Sequence, residues 1–369
     1  MKKVLMLLLA VSAFTLSCTN TELYGYGEGE PARITYMPVN RKATKAIINS
    51  GAFPTAETFH SVAWTSKQDW SDTAVLSDDK FIDDEIFYDN ENRIWVSEKE
   101  YYWPLDYKVN FFAYYPDTLE SGEFFINKGV LCLKDFVVPP TMDIDVLVAD
   151  ALLNASVDNN DYSDGVPTIF RHKLSKVQFR ARLAENYREI AEFDKIVINS
   201  ISLYSINNKG DWSFNSTENN TFGEWTNQSG ATTGSKPDFT VDNVSSENGQ
   251  GTVVTSVTPV TVGNEMVVMP QQMNADSKIV VDYTVYYSNN YSYSETSTID
   301  MIEEFGTYDS AAGKMKYAWN INKYYIYTFK FDLTDDAISW APEVIDWDQE
   351  EISGPVVSDW DTDNNYVNY

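Results

Sequence analysis

The stretch Tyr324-Tyr325-Ile326-Tyr327-Thr328-Phe329-Lys330-Phe331 decides the fold class of this chain. Aromatic and β-branched residues fill it. From Tyr327 onward aromatic and polar side chains take turns, as they do in a strand with one face against a core. Working outward, the same pattern returns in Ile34-Thr35-Tyr36, Lys108-Val109-Asn110-Phe111, Lys176-Val177-Gln178-Phe179-Arg180 and Tyr283-Thr284-Val285-Tyr286-Tyr287. Gly, Asn and Asp punctuate the intervals between them. Asn207-Asn208-Lys209-Gly210 has the chemistry of a hairpin turn joining strands at 201–204 and 212–214. Only residues 183–193 have helical character, and the stretch is short. Many short strands with frequent turn residues predict an all-β chain built of β-sandwiches.

The chain carries 55 acidic and 27 basic residues, a net charge of −28. A surface of that sign repels phosphate backbones and anionic lipid, so neither nucleic-acid binding nor charge-driven membrane association is expected. Met1-Lys2-Lys3 followed by the apolar run 4–14 reads as an export signal, too short to span a bilayer as a helix. Ser17-Cys18 closes it, and with that cysteine the segment resembles a bacterial lipoprotein signal, in which the cysteine is lipidated and becomes the mature N-terminus. Residues 1–17 are therefore set aside as signal peptide. The remainder is long enough for two domains, each with its own core. Cys132 is the one other cysteine, so no intramolecular disulfide is expected. Its setting, Val130-Leu131-Cys132-Leu133, predicts a small buried hydrophobe.

Residues 157–165, rich in Asp and Asn, are the best candidate linker, which places a domain boundary near Pro167. Residues 215–251, rich in Ser, Thr, Asn and Gly, read as a long surface loop or a decorated hairpin. From Asp332 to the C-terminus no Lys or Arg occurs among many acidic residues. Ile352, Val356 and Trp360 nevertheless have the spacing to share one strand face, which a merely solvating tail does not require.

Residues suited to chemistry are few. His60 and His172 stand far apart in sequence, and no Cys/His metal spacing, nucleophile elbow or phosphate-binding loop is present. Acid groups such as Asp83-Asp84-Glu85 are expected by chance in so acidic a chain, and the run from Asp158 to Asp164 departs from a calcium-loop pattern at Tyr162. The aromatic blocks Tyr101-Tyr102-Trp103-Pro104 and Phe111-Phe112-Ala113-Tyr114-Tyr115-Pro116 are expected in a core rather than exposed for sugar stacking. No catalytic residue, metal or cofactor is expected.

Taken in order, several of these blocks resemble the fimbrillin family, the lipoprotein-derived subunits of type V pili. The blocks are the lipobox at Cys18, the early strand followed by Asn40-Arg41-Lys42-Ala43-Thr44-Lys45-Ala46, and Tyr102-Trp103-Pro104 through Tyr115-Pro116. They continue with Arg171-His172-Lys173-Leu174-Ser175-Lys176-Val177, the stretch 203–212, Met269-Pro270-Gln271-Gln272, and 319–331. The resemblance implies two tandem β-sandwich domains of transthyretin-like topology, at 42–166 and 167–341, with an acidic tail at 342–369. It implies that a trypsin-like protease removes residues 18–41 by cutting after Arg41, with Lys42 and Lys45 as alternatives. It implies that the C-terminal segment of a neighbouring subunit then fills the groove left behind, and here Ile352, Val356 and Trp360 are the candidate donor-strand residues. The partners so implied are other pilin subunits, the maturation protease, an outer-membrane lipid anchor before maturation, and a host or bacterial surface ligand. The expected function is a structural pilus subunit at the cell surface supporting adhesion, without enzymatic activity. A glycan-binding surface lipoprotein is the competing reading.

Overall fold

The computed structural model describes residues 32–40, 53–71, 80–156, 162, 164–214, 222–232, 236–242, 244, 251–333 and 337–346. The strand pattern of the sequence dominates it, and the chain is all-β. The first sheet has eight strands, and it closes on itself. From Phe59–Ser66 the path runs through Ile82–Asp89, Ile94–Ser97, Tyr36–Asn40, Val166–His172, Leu147–Ala149 and Lys108–Tyr115, and the last of these pairs with the first. Leu152–Ala155 adds to Lys108–Tyr115.

Alternation along two of these strands builds two cores at once. Phe59, Ala63, Phe111 and Ala113 join the core inside the closed sheet. Val62, Trp64 and Phe112, one residue out of phase, join the larger core outside it. Period-two side-chain placement turns this pair of strands into a wall apolar on both faces.

The second core lies among three further sheets. Ser175–Leu183 runs parallel to Lys323–Asp332 and antiparallel to Val260–Val268, and Ala337–Asp346 closes that sheet as its outer strand. A five-stranded sheet is built around Phe193–Tyr204, Lys278–Tyr287 and Ser292–Asp300. The third places Glu123–Asn127 and Val130–Val137 beside Lys209–Ser213 and Glu224–Ser229. Cys132, in this sheet, is buried, and burial pushes its thiol pKa up.

Three sequence expectations need correction. Residues 207–210 do not join a hairpin, because Phe193–Tyr204 and Lys209–Ser213 belong to different sheets. Ser205 turns the chain with φ of 57°, and the Asn208 carbonyl then accepts from Val138, the residue directly after Val130–Val137. The expected helix at 183–193 reduces to a five-residue 3-10 turn, Glu185–Glu189, because Ser175–Leu183 and Phe193–Tyr204 take up both ends as strands. Finally, Val166–His172 pairs in the first sheet, so the chain leaves that sheet after His172 rather than near Pro167.

Candidate functional site

The most distinctive place in the fold is a slot in the first sheet, occupied by the chain's own residues 32–40. On one side the Ile34 N–H donates to the Tyr101 carbonyl at 2.7 Å and the Trp103 N–H donates to the Ala32 carbonyl at 3.0 Å. Arg33 bridges Tyr102 and its guanidinium lies 3.2 Å from the Glu100 carboxylate. Tyr36 pairs with Trp95 in antiparallel register. On the other side the Val166 N–H donates to the Thr35 carbonyl at 2.8 Å, and residues 36–40 run parallel to 166–170. A segment near the start of the chain is thus held on one edge over 32–36 and on the other over 35–40.

Its side chains alternate as a strand's should. Ile34, Tyr36 and Pro38 are buried, whereas Met37 is 37% exposed. The Tyr36 ring stands edge-on to Phe59 at 5.8 Å and to Phe111 at 6.2 Å, a favourable aromatic geometry. At roughly 1.5–3 kcal/mol for each of three buried apolar side chains, the strand contributes roughly 5–9 kcal/mol to the first core. That approaches the whole stability of an ordinary domain, about 5–15 kcal/mol.

One detail of the fit is imperfect. The Tyr36 Oη and the Ser61 Oγ are both buried without a hydrogen-bond partner of normal geometry. Burial raises the Tyr36 phenol pKa well above its ordinary value. The neighbouring Ser61 hydroxyl works against that rise, and Tyr101 and Asp84 add to it.

The walls of the slot are braced independently of the strand. Arg171 donates twice to the Asp150 carboxylate, at 2.6 and 2.7 Å, and His172 Nδ1 lies 2.6 Å from Asp145 Oδ2. Both residues belong to Val166–His172, which pairs with Leu147–Ala149 at its far edge. Tyr162 stacks on Trp103 at 4.8 Å with the planes 9° apart. Gly165 closes the approach. Its φ is +105°, and a Cβ there would meet the Tyr36 carbonyl carbon at 2.8 Å, so only glycine fits. Nothing in the sequence pattern marked Tyr162 or Gly165 as part of a site, since residues 157–165 read as a linker. A glycine directly before a strand was the available signal.

Cys18, Arg41, Lys42, Lys45, Ile352, Val356 and Trp360 lie outside the described residues. Arg41 follows directly on the end of the slot strand, and the chain re-enters the first core at Phe53, 5.5 Å from both Phe59 and Trp95. At the other end of the chain, Ala337–Asp346 pairs along its whole length with Lys323–Asp332 and, among the described residues, with no other strand. Residues 342–346, expected in the tail, therefore continue this edge strand. Pro342 sits within it, as prolines in sheets generally do at an edge.

His60 is less isolated than its sequence suggests. Its ring stacks on Tyr114 at 5.0 Å, its Nδ1 lies 2.6 Å from Asp117 Oδ1, and its Nε2 lies 2.9 Å from Asp83 Oδ1. Among the described residues no group of three or more His, Cys, Asp or Glu side chains is arranged to hold a metal ion.

Comparison with known proteins places this architecture. A fimbrial protein from Bacteroides vulgatus shares the fold, with a TM-score of 0.58, 14% sequence identity, and coverage of 85% of this chain and 99% of that one. Looser likenesses extend to a putative cell adhesion protein from Bacteroides uniformis, with a TM-score of 0.45, 14% identity and coverage of 85% and 99%. A fimbrilin from Porphyromonas gingivalis has a TM-score of 0.42, 7% identity and coverage of 86% and 98%. No curated protein matches this sequence. A family model described as fimbrillin-like matches residues 44–360, most of the length, and the chain therefore belongs to the fimbrillin-like family.

Proposed function

We propose that this protein is a structural subunit of a pilus, exported as a lipoprotein acylated at Cys18 and matured by a trypsin-like protease cutting after Arg41, with Lys42 and Lys45 as alternative sites. Family membership supports the pilus role and interaction with other pilin subunits at the cell surface. The division into two tandem transthyretin-like domains, the outer-membrane anchor, and a host or bacterial surface ligand belong to the same proposal.

The observation that carries the reading is the placement of residues 32–40. They form a strand near the start of the chain, wedged between two neighbours, and the basic stretch Arg41-Lys42-Ala43-Thr44-Lys45 follows at once. A cut in that stretch leaves the strand held only by hydrogen bonds and packing. Its departure exposes unpaired N–H and C=O groups on both walls and the aromatic floor of Phe59 and Phe111, a template for an extended segment of another chain. A C-terminal segment of a second copy then fills the slot; the strand Ala337–Asp346 and the stretch holding Ile352, Val356 and Trp360 are the two candidates. Such a contact is heterologous and does not close, so repetition grows a filament.

Mass spectrometry of the N-terminus of assembled protein tests this, together with gel analysis after mild trypsin treatment. The expected result is an N-terminus directly after Arg41, Lys42 or Lys45 and a ladder of heat-stable oligomers. Assembled protein that keeps residues 18–41, or trypsin-treated protein that stays monomeric, overturns it.

A further inference from the structure

Resting on the strand-exchange reading above, we infer that the segment entering the slot of a neighbouring copy is Ile338-Ser339-Trp340-Ala341-Pro342, in the register and direction of the strand that leaves. The slot strand reads Ile34-Thr35-Tyr36-Met37-Pro38, and its buried residues are Ile, an aromatic and Pro, two apart. Across the full sequence, Ile-x-aromatic-x-Pro occurs once more, at 338–342, with a small hydroxyl residue again in second place.

The proline makes the match specific. A proline in a paired strand forfeits a ladder hydrogen bond, so sheets usually confine it to edges. Pro38 is buried and pairs with Thr168 on one side, and among the described residues no strand pairs with it on the other. Val166 donates to the Thr35 carbonyl, so by the alternation of a parallel ladder residues 35, 37 and 39 bond that strand and the nitrogen of residue 38 faces away from it. A proline at this point forfeits no ladder bond, and Pro342 meets the same condition. With Pro342 in place of Pro38, Trp340 falls opposite Val166 and Trp95, where Tyr36 now sits. The indole is a hydrogen-bond donor, and the buried Ser61 Oγ beside Tyr36 has no partner at present.

Backbone pairing favours the transfer. Among the described residues Ala337–Asp346 is hydrogen bonded along one edge in its own sheet, and the slot adds a second edge at positions 34–36. The competing segment fits less well. Ile352, Val356 and Trp360 are four apart, with Gly354 and Ser358 at the intervening same-face positions, and Pro355 is out of phase with them.

Photo-cross-linking of the full chain tests the assignment. A benzophenone amino acid is placed at position 340 and, in a separate protein, at 360. Each is treated with mild trypsin and irradiated, and the linked peptides are read by mass spectrometry. We expect position 340 to attach to Phe59–Ser66 or Lys108–Tyr115 of another copy, and position 360 not to. Attachment from 360 to those strands, with 340 linked only within its own chain, overturns the inference and leaves strand exchange standing. Oligomers in which neither position reaches those strands overturn strand exchange itself. Should the 340 variant fail to fold, Ile338→Asp and Ile352→Asp give a second reading. The first should lower the oligomer yield by about tenfold or more, since a carboxylate would be forced into an apolar floor, and the second should leave it unchanged. The reverse order of effects overturns the inference.

Discussion

Residues 32–40 have hydrogen-bonded neighbours on both sides, with 32–36 held on one and 35–40 on the other, whereas among the described residues Ala337–Asp346 has a neighbour on one side. Both segments carry Ile, an aromatic and Pro at the same spacing. Side-chain pattern alone would rank them as equivalent strands. They differ in their neighbours: the first is boxed into a closed sheet and contributes to its core, and the second borders an open sheet. An element held on both edges can be lost only if something replaces it. An element held on one edge is the cheaper of the two to detach. The difference makes the first half of the molecule the natural acceptor and the C-terminal end the natural donor.

Four substitutions test that contrast, from large effect to small. Tyr36→Ala removes the ring that meets Phe59 and Phe111 and should cost about 3–5 kcal/mol in denaturant unfolding, in the range of other large aromatic truncations. A cost below about 1 kcal/mol would mean that the first core does not depend on its resident strand. Gly165→Ala pushes a methyl group against the Tyr36 backbone and should cost about 1–3 kcal/mol. Hydrogen exchange provides the sharper readout: amides at 34–36 should exchange faster while those of Lys323–Asp332 stay unchanged. Equal acceleration in both regions would show that the two halves unfold together.

Tyr36→Phe keeps the packing and deletes a buried hydroxyl that has no partner, so it should be neutral or stabilise by about 1 kcal/mol. A loss of stability would show that the hydroxyl is hydrogen bonded after all. Val344, on the edge strand, is 50% exposed, and Val344→Ala should change stability by no more than about 0.5 kcal/mol. A large loss there would remove the asymmetry on which the donor assignment rests.

Much of the fold was legible in the residues. The alternation in 324–331 became Lys323–Asp332, buried at Tyr325, Tyr327, Phe329 and Phe331. The block around Phe111 became the wall between two cores, and Cys132 is buried as its apolar neighbours suggested. The site was legible only in part. Ile34-Thr35-Tyr36 read as a strand and Arg41 as the start of a basic stretch, but Gly165 and Tyr162 were hidden in a segment that looked like a linker. The turn residues at 207–210 were real, yet the strands they join lie in different sheets.

Taken alone, then, the sequence determined that the chain is built of strands, and at stretches such as 324–331 which face is apolar. Tertiary structure alone decided which strands lie beside one another, and so which one is enclosed and which one is left at an edge. The reason is physical. Side chains alternate from face to face, so burial of a face is written into the local pattern. Edges are made of backbone N–H and C=O groups that nearly every residue carries alike, so pairing is settled by the path of the whole chain.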